Sequence, residues 1–116
     1  MSKKILLIED DVLFRDLIKK YLENAGHEMF TLSDGTKCMN AIEEQHIDIL
    51  MTDILMEGQE GLETIGMIRD SHADLPIIAI SSDEFYFDMA KDLGANTVIS
   101  KPVTKEKIQS VVEQFS

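Results

Sequence analysis

The chain has 116 residues, 44% of them hydrophobic, with 22 acidic against 11 basic side chains and a formal net charge of −11. That length suits one hydrophobic core and is too short for two, so a single domain over residues 1–116 is expected. The acidic balance argues against direct contact with nucleic acid, whose phosphates are bound through Lys and Arg, and no apolar stretch reaches the length of a membrane span. Lone Cys38 cannot close an internal disulfide, and His27, His46 and His72 lack the spacing of a zinc site. Lys3-Lys4 is followed by too short an apolar run for a secretory signal, so a soluble, cytoplasmic protein is expected.

The first strand is predicted from about Lys4 to Ile8, a continuous apolar run that suits a strand covered on both faces. Phe14, Leu17, Ile18, Tyr21 and Leu22 then form the stripe of an amphipathic helix, which Asp11 can cap and Gly26 can end in a left-handed conformation. A short strand is predicted over His27 to Leu32, punctuated by Ser33-Asp34-Gly35, followed by a helix with Cys38, Ala41 and Ile42 inward. The central strand begins at Ile47 and runs into Asp53, and the two glycines between Glu57 and Gly61 mark a loop. Leu62, Ile65 and Ile68 give a third helix, in which Gly66 costs roughly 1 kcal/mol relative to Ala. Pro76 opens a fourth strand, and Tyr86, Met89, Ala90 and Leu93 mark a short helix ended by Gly94. A fifth strand, Thr97 to Ile99, precedes a helix capped by Thr104 with the stripe Ile108, Val111, Val112 and Phe115. Strands alternating with helices through short connections imply an α/β fold, a parallel sheet with helices on both faces.

Four of these strands end in groups with chemistry: Glu9-Asp10-Asp11 after the first, Asp53 at the third, Ser81-Ser82-Asp83 after the fourth and Ser100-Lys101-Pro102 after the fifth. In a parallel sheet those tips share one crevice, the usual ligand position of open α/β sheets. Taken singly, each has an ordinary reading: a solvated cap, a turn former, a local hydrogen-bonding serine, an exposed lysine. Together, the carboxylates of Glu9, Asp10 and Asp53 would repel one another unless a hard divalent cation relieved them, and Mg²⁺ is the natural occupant. Asp53 is then a candidate nucleophile for a phosphoryl group, Lys101 a counter-charge and Ser81 a hydroxyl donor to a phosphoryl oxygen.

In their order and positions, Glu9-Asp10, Asp53, Ser81 and Lys101-Pro102 make the chain resemble, end to end, a response-regulator receiver domain, the phosphoacceptor module of two-component signalling. The resemblance implies a flavodoxin-like, doubly wound five-stranded parallel sheet of order 2-1-3-4-5 with five helices. It implies the Leu55 carbonyl as a further Mg²⁺ ligand beside Glu9, Asp10 and Asp53, and a cis Lys101–Pro102 peptide. The implied partners are a sensor histidine kinase or phosphotransfer protein, which donates the phosphoryl group, and a downstream protein at the face of helix 4, strand 5 and helix 5. No output segment follows the last helix, so action by protein contact or relay is expected, the alternative being a receiver cut from a longer regulator with a DNA-binding or enzymatic output.

Two positions depart from the family pattern. Glu57 stands where a proline commonly follows the methionine, and Val98 where many receivers carry an aromatic ring that moves on activation. The second makes ring rotation an unsuitable readout and points to movement between Ser81 and Phe87. Phe85 and Phe87 fall off the helical stripe, so one of them either packs into the core at a short, irregular helix or stands exposed as a partner anchor. An aspartyl-phosphate phosphatase would want an acid where Leu55 stands, and a flavin phosphate would be repelled by Glu9-Asp10-Asp11, so neither reading competes.

Overall fold

The structure, a computed structural model, describes residues 2–54 and 61–115. Its elements run β1 (Lys4–Ile8), α1 (Val12–Asn24), β2 (Glu28–Leu32), α2 (Cys38–Gln45), β3 (Ile49–Asp53), α3 (Gly61–Ser71), β4 (Ile77–Ser81), a 3₁₀ turn (Glu84–Tyr86), α4 (Phe87–Leu93), β5 (Thr97–Ser100) and α5 (Lys105–Glu113). All neighbouring strands are parallel, in the order β2-β1-β3-β4-β5. This is the expected doubly wound sheet.

Strand pleating divides the core. Ile5, Leu7, Met51, Ile78 and Ile80 point to the side covered by Ile18 and Leu22 of α1 and by Ile108, Val111 and Val112 of α5. Leu6, Ile8, Leu50 and Ala79 point to the side covered by Ile42 of α2, Ile65 and Ile68 of α3, and Ala90 of α4. Each fully buried Leu or Ile contributes roughly 1.5–3 kcal/mol of transfer free energy, so the central strands must be apolar on both faces.

The caps form as the sequence indicates. Asp11 accepts from the backbone N–H of Leu13 and Phe14, Thr104 accepts from that of Lys107, and Gly26 follows α1 with φ 94°. Three details differ from the expected elements. β3 starts at Ile49, because Ile47 packs beneath α2, its N–H bonded to the Ile42 carbonyl. Gly61 is not loop but the first residue of α3; its N–H donates to the Ile54 carbonyl, and a β-carbon there would collide with the Asp53 carbonyl, so only glycine lets α3 start this close to β3. In α4 the stripe does not bury as a face. A 3₁₀ turn precedes a helix of only seven residues, which rests on the sheet through Ala90 while Met89 and Leu93 stay exposed. The rest of the expected loop, residues 57–60, lies outside the described residues.

Candidate phosphoacceptor site

Sheet register sets the site. Ile8 lies beside Thr52, Asp53 beside Ile80, and Ser81 beside Ser100, so the chain positions that follow these pairs emerge along one edge. Asp53 ends a wholly buried strand and is itself only 3% exposed, while Glu9 is fully buried and Asp10 exposed. Two buried carboxylates side by side require a compensating charge.

Lys101 supplies it. Its ammonium donates to Asp53 Oδ2 at 2.7 Å and forms an ion pair with Glu9 Oε1 at 2.8 Å that lacks the angular geometry of a hydrogen bond. The lysine is held by its backbone N–H, which donates to the Ser81 carbonyl at 2.9 Å, and the Lys101–Pro102 peptide is cis. Burial opposes the charged ammonium, but Asp53 and Glu9 outweigh it and raise the Lys101 pKa. Burial pushes the Glu9 carboxyl up to about 7; hydrogen bonding to Asp53 adds to the rise and Lys101 opposes it.

Carboxylate oxygens of Glu9, Asp10 and Asp53 lie within 4.8 Å of one another. Three hard oxygen donors, one of them a buried Glu9 oxygen without an aligned hydrogen-bond donor, fit a divalent cation of the Mg²⁺ type. Leu55 lies outside the described residues. Ser81 ends β4 beside β3, but its hydroxyl is engaged in its own loop, accepting from the Asp83 N–H at 3.0 Å and donating to the Asp83 carbonyl at 3.2 Å. Glu9, Asp10, Asp53 and Lys101 are therefore brought together, while the Ser81 hydroxyl is bonded within its own loop.

Two residues at this edge escaped the sequence reading. The Lys101 ammonium lies 4.3 Å from the centre of the Phe14 ring, a cation–π contact, and Arg15 Nη1 donates to the Glu9 carbonyl at 3.4 Å. The available signal was position: a helix capped by Asp11, directly behind the acidic pair, must place its first turn over the same edge. A separate cavity of about 350 Å³ between β2 and α2 shares none of these residues.

A family model described as response regulator receiver domain matches residues 5–113. The alkaline phosphatase synthesis transcriptional regulatory protein PhoP of Bacillus subtilis is 26% identical over 97% of this chain and 48% of its own, so the chain spans about half the length of that relative. Among solved structures, the receiver domain of NtrX from Brucella abortus is 30% identical over 95% of each chain, with a TM-score of 0.90. The chemotaxis protein CheY4 of Vibrio cholerae, 21% identical, shares the fold over 100% of each chain with a TM-score of 0.92.

Proposed function

Because this chain belongs to the response-regulator receiver family of two-component signalling, we propose that Asp53 accepts a phosphoryl group from the phosphohistidine of a sensor kinase or phosphotransfer protein. The observation that carries this reading is the 2.7 Å contact between Lys101 and Asp53 at an edge shared with Glu9 and Asp10. On this reading residues 1–116 act as one cytoplasmic receiver domain, a signalling module and not a turnover enzyme, without direct contact to nucleic acid.

An Asp53 oxygen forms the new O–P bond while the P–N bond to the donor histidine breaks and its electron pair stays with the imidazole. Glu9, Asp10 and Asp53, with the Leu55 carbonyl that the family resemblance implies, would hold Mg²⁺, which would supply charge neutralisation for the incoming group. Lys101, already charged and held at 2.7 Å from Asp53, passes from the carboxylate to a phosphoryl oxygen without a proton transfer. The Ser81 hydroxyl leaves Asp83 and donates to another phosphoryl oxygen. Because the backbone N–H of Phe85 is bonded to the Asp83 side chain, this exchange reaches the segment between Ser81 and Phe87. Output at the face of α4, β5 and α5 then follows without an aromatic at Val98.

A second reading, a receiver module of a longer regulator, is favoured by the greater length of PhoP; the length of the native reading frame decides it. The acceptor is tested by Mg²⁺-dependent labelling with acetyl phosphate. Wild type takes up label and Asp53→Asn does not; equal labelling of both overturns the assignment.

A further inference from the structure

Between Ser81 and Gly94 the sequence repeats an acidic-apolar pair at four-residue steps: Glu84-Phe85, Asp88-Met89 and Asp92-Leu93. All six side chains are exposed, Phe85 by 75%, Met89 by 45% and Leu93 by 41%. Four-residue spacing aligns side chains along a helix, so the segment carries an apolar ridge beside an acidic one. At its C-terminal end the ridge meets α3, where a β-carbon on Gly66 would stand 3.5 Å from Leu93 Cδ2. Phe85 packs edge-on against the Tyr86 ring at 5.1 Å and 88°, and Tyr86 packs against the core, so the exposed anchor is held in place.

We propose that this acid-edged ridge, Phe85-Met89-Leu93, docks a basic amphipathic helix of a partner protein and is adjusted by Ser81 through Asp83. The proposal rests on the phosphoacceptor reading and names the chemistry of its output partner. An apolar row on the partner covers the ridge, and Lys or Arg beside that row meets Glu84, Asp88 and Asp92. A second copy of this chain, at a net charge of −11, brings like charge to the same surface. The link to Ser81 consists of three hydrogen bonds: the hydroxyl to the Asp83 N–H and carbonyl, and the Asp83 carboxylate to the Phe85 N–H at 2.9 Å. A hydroxyl drawn to a phosphoryl oxygen releases Asp83 and with it the seat of Phe85.

The test uses a labelled helical peptide of about five turns, leucines at i, i+4 and i+7 with lysines along one side, and a twin with glutamates in place of the lysines. Fluorescence anisotropy at physiological salt should show binding of the basic peptide to the whole chain and none of the acidic twin. Phe85→Ser with Met89→Ser, which leaves the charge unchanged, and Asp88→Lys with Asp92→Lys should each weaken binding by about tenfold or more. Glu23→Lys with Glu28→Lys, distant on the same acidic protein, should change it by less than about twofold. No binding, indifference to the serine pair, or equal weakening by the distant pair overturns the surface, as does a dimer in sedimentation that Phe85→Ser dissolves. Acetyl phosphate with Mg²⁺ should shift peptide affinity in wild type and not in Ser81→Ala; equal shifts overturn the link through Asp83. If Asp53→Asn labels like wild type while the peptide pattern holds, the acceptor reading fails and the surface stands.

Discussion

The ammonium of Lys101 rests 4.3 Å from the centre of the Phe14 ring while it bridges Asp53 and Glu9 at 2.7 and 2.8 Å. An aliphatic side chain at position 14 would pack but present no negative ring face to the cation. Phe14→Leu is therefore expected to slow acetyl phosphate labelling of Asp53 by roughly two- to tenfold, the range of a partly desolvated cation–π contact, while Phe14→Tyr stays near wild type. The fold should lose no more than about 1.5 kcal/mol in the leucine variant. Rates from phosphate-affinity gels and stability from urea titration check both; equal rates for Leu and Phe would reduce the ring to packing.

Glu9 gives the metal-free protein a pH-dependent stability. Its carboxyl titrates near 7 in the fold against an ordinary 4.5, so between those values the native state binds the proton that the unfolded chain has released. The Glu9 contribution is complete below about 4.5 and is lost as pH rises through about 7, by at most about 3 kcal/mol. Burial lowers the His27 pKa, so its contribution has the opposite sign, present above 6.5 and lost as pH falls. Urea unfolding of wild type and Glu9→Gln in EDTA isolates the carboxyl, since His27 is common to both. The stability advantage of wild type over the variant should shrink as pH rises from 4.5 to 8, and a constant difference would contradict the shift.

Strand pleating and a parallel sheet covered by helices were legible in the sequence because they follow from apolar runs and short connections, whereas the strand order came from the family resemblance. Asp53, Glu9, Asp10 and Lys101 were legible because each ends a strand, so topology alone brings them to one edge. Phe14 was not, because a helix stripe reports which face is inward and not which cation a ring touches. The stripe of Tyr86, Met89, Ala90 and Leu93 marked α4, but its 3.6-residue period cannot tell how wide a support a seven-residue helix finds on the sheet, so the exposure of Met89 and Leu93 was not legible. Ser81 was placed at the right edge, but its hydrogen bonds to Asp83 depend on loop geometry that residue types do not specify.

Removing the bridging cation should expose the repulsion it balances. In Lys101→Met, the buried Glu9 and Asp53 face each other without a counter-charge, and metal-free stability at pH 8 should fall by about 2–4 kcal/mol. Millimolar Mg²⁺ should recover much of that loss, because an ion that binds only the native state stabilises it by mass action. Labelling of Asp53 should still fall by at least about a hundredfold, since a metal that relieves the resting charge does not replace the positioned ammonium. Urea titrations with and without Mg²⁺ separate the two effects, and a variant insensitive to Mg²⁺ would show that the acidic edge does not hold the ion.

A complementary test lies at the opposite end of the sheet, where Arg69 closes the ends of three elements at once. Its guanidinium donates to the Gly94 carbonyl at 2.7 and 3.1 Å, to the carbonyls of His72 and Ala73, and to Asn96 Oδ1, which also accepts from the Ile77 N–H. These acceptors sit at the ends of α3 and α4 and at the entry to β5, where helix carbonyls lack partners within their own helices. Arg69→Gln is expected to cost about 2–3 kcal/mol, as several charge-assisted hydrogen bonds are lost and part of their acceptors return to water. None of these groups touches Asp53, Glu9 or Lys101, so the labelling rate per folded molecule should remain within about twofold of wild type. Urea unfolding and acetyl phosphate labelling on the same samples check the pair of outcomes. A labelling defect in fully folded Arg69→Gln would mean that the anchoring of α4 governs the acceptor edge, and that stability and phosphoryl chemistry are not separable in this fold.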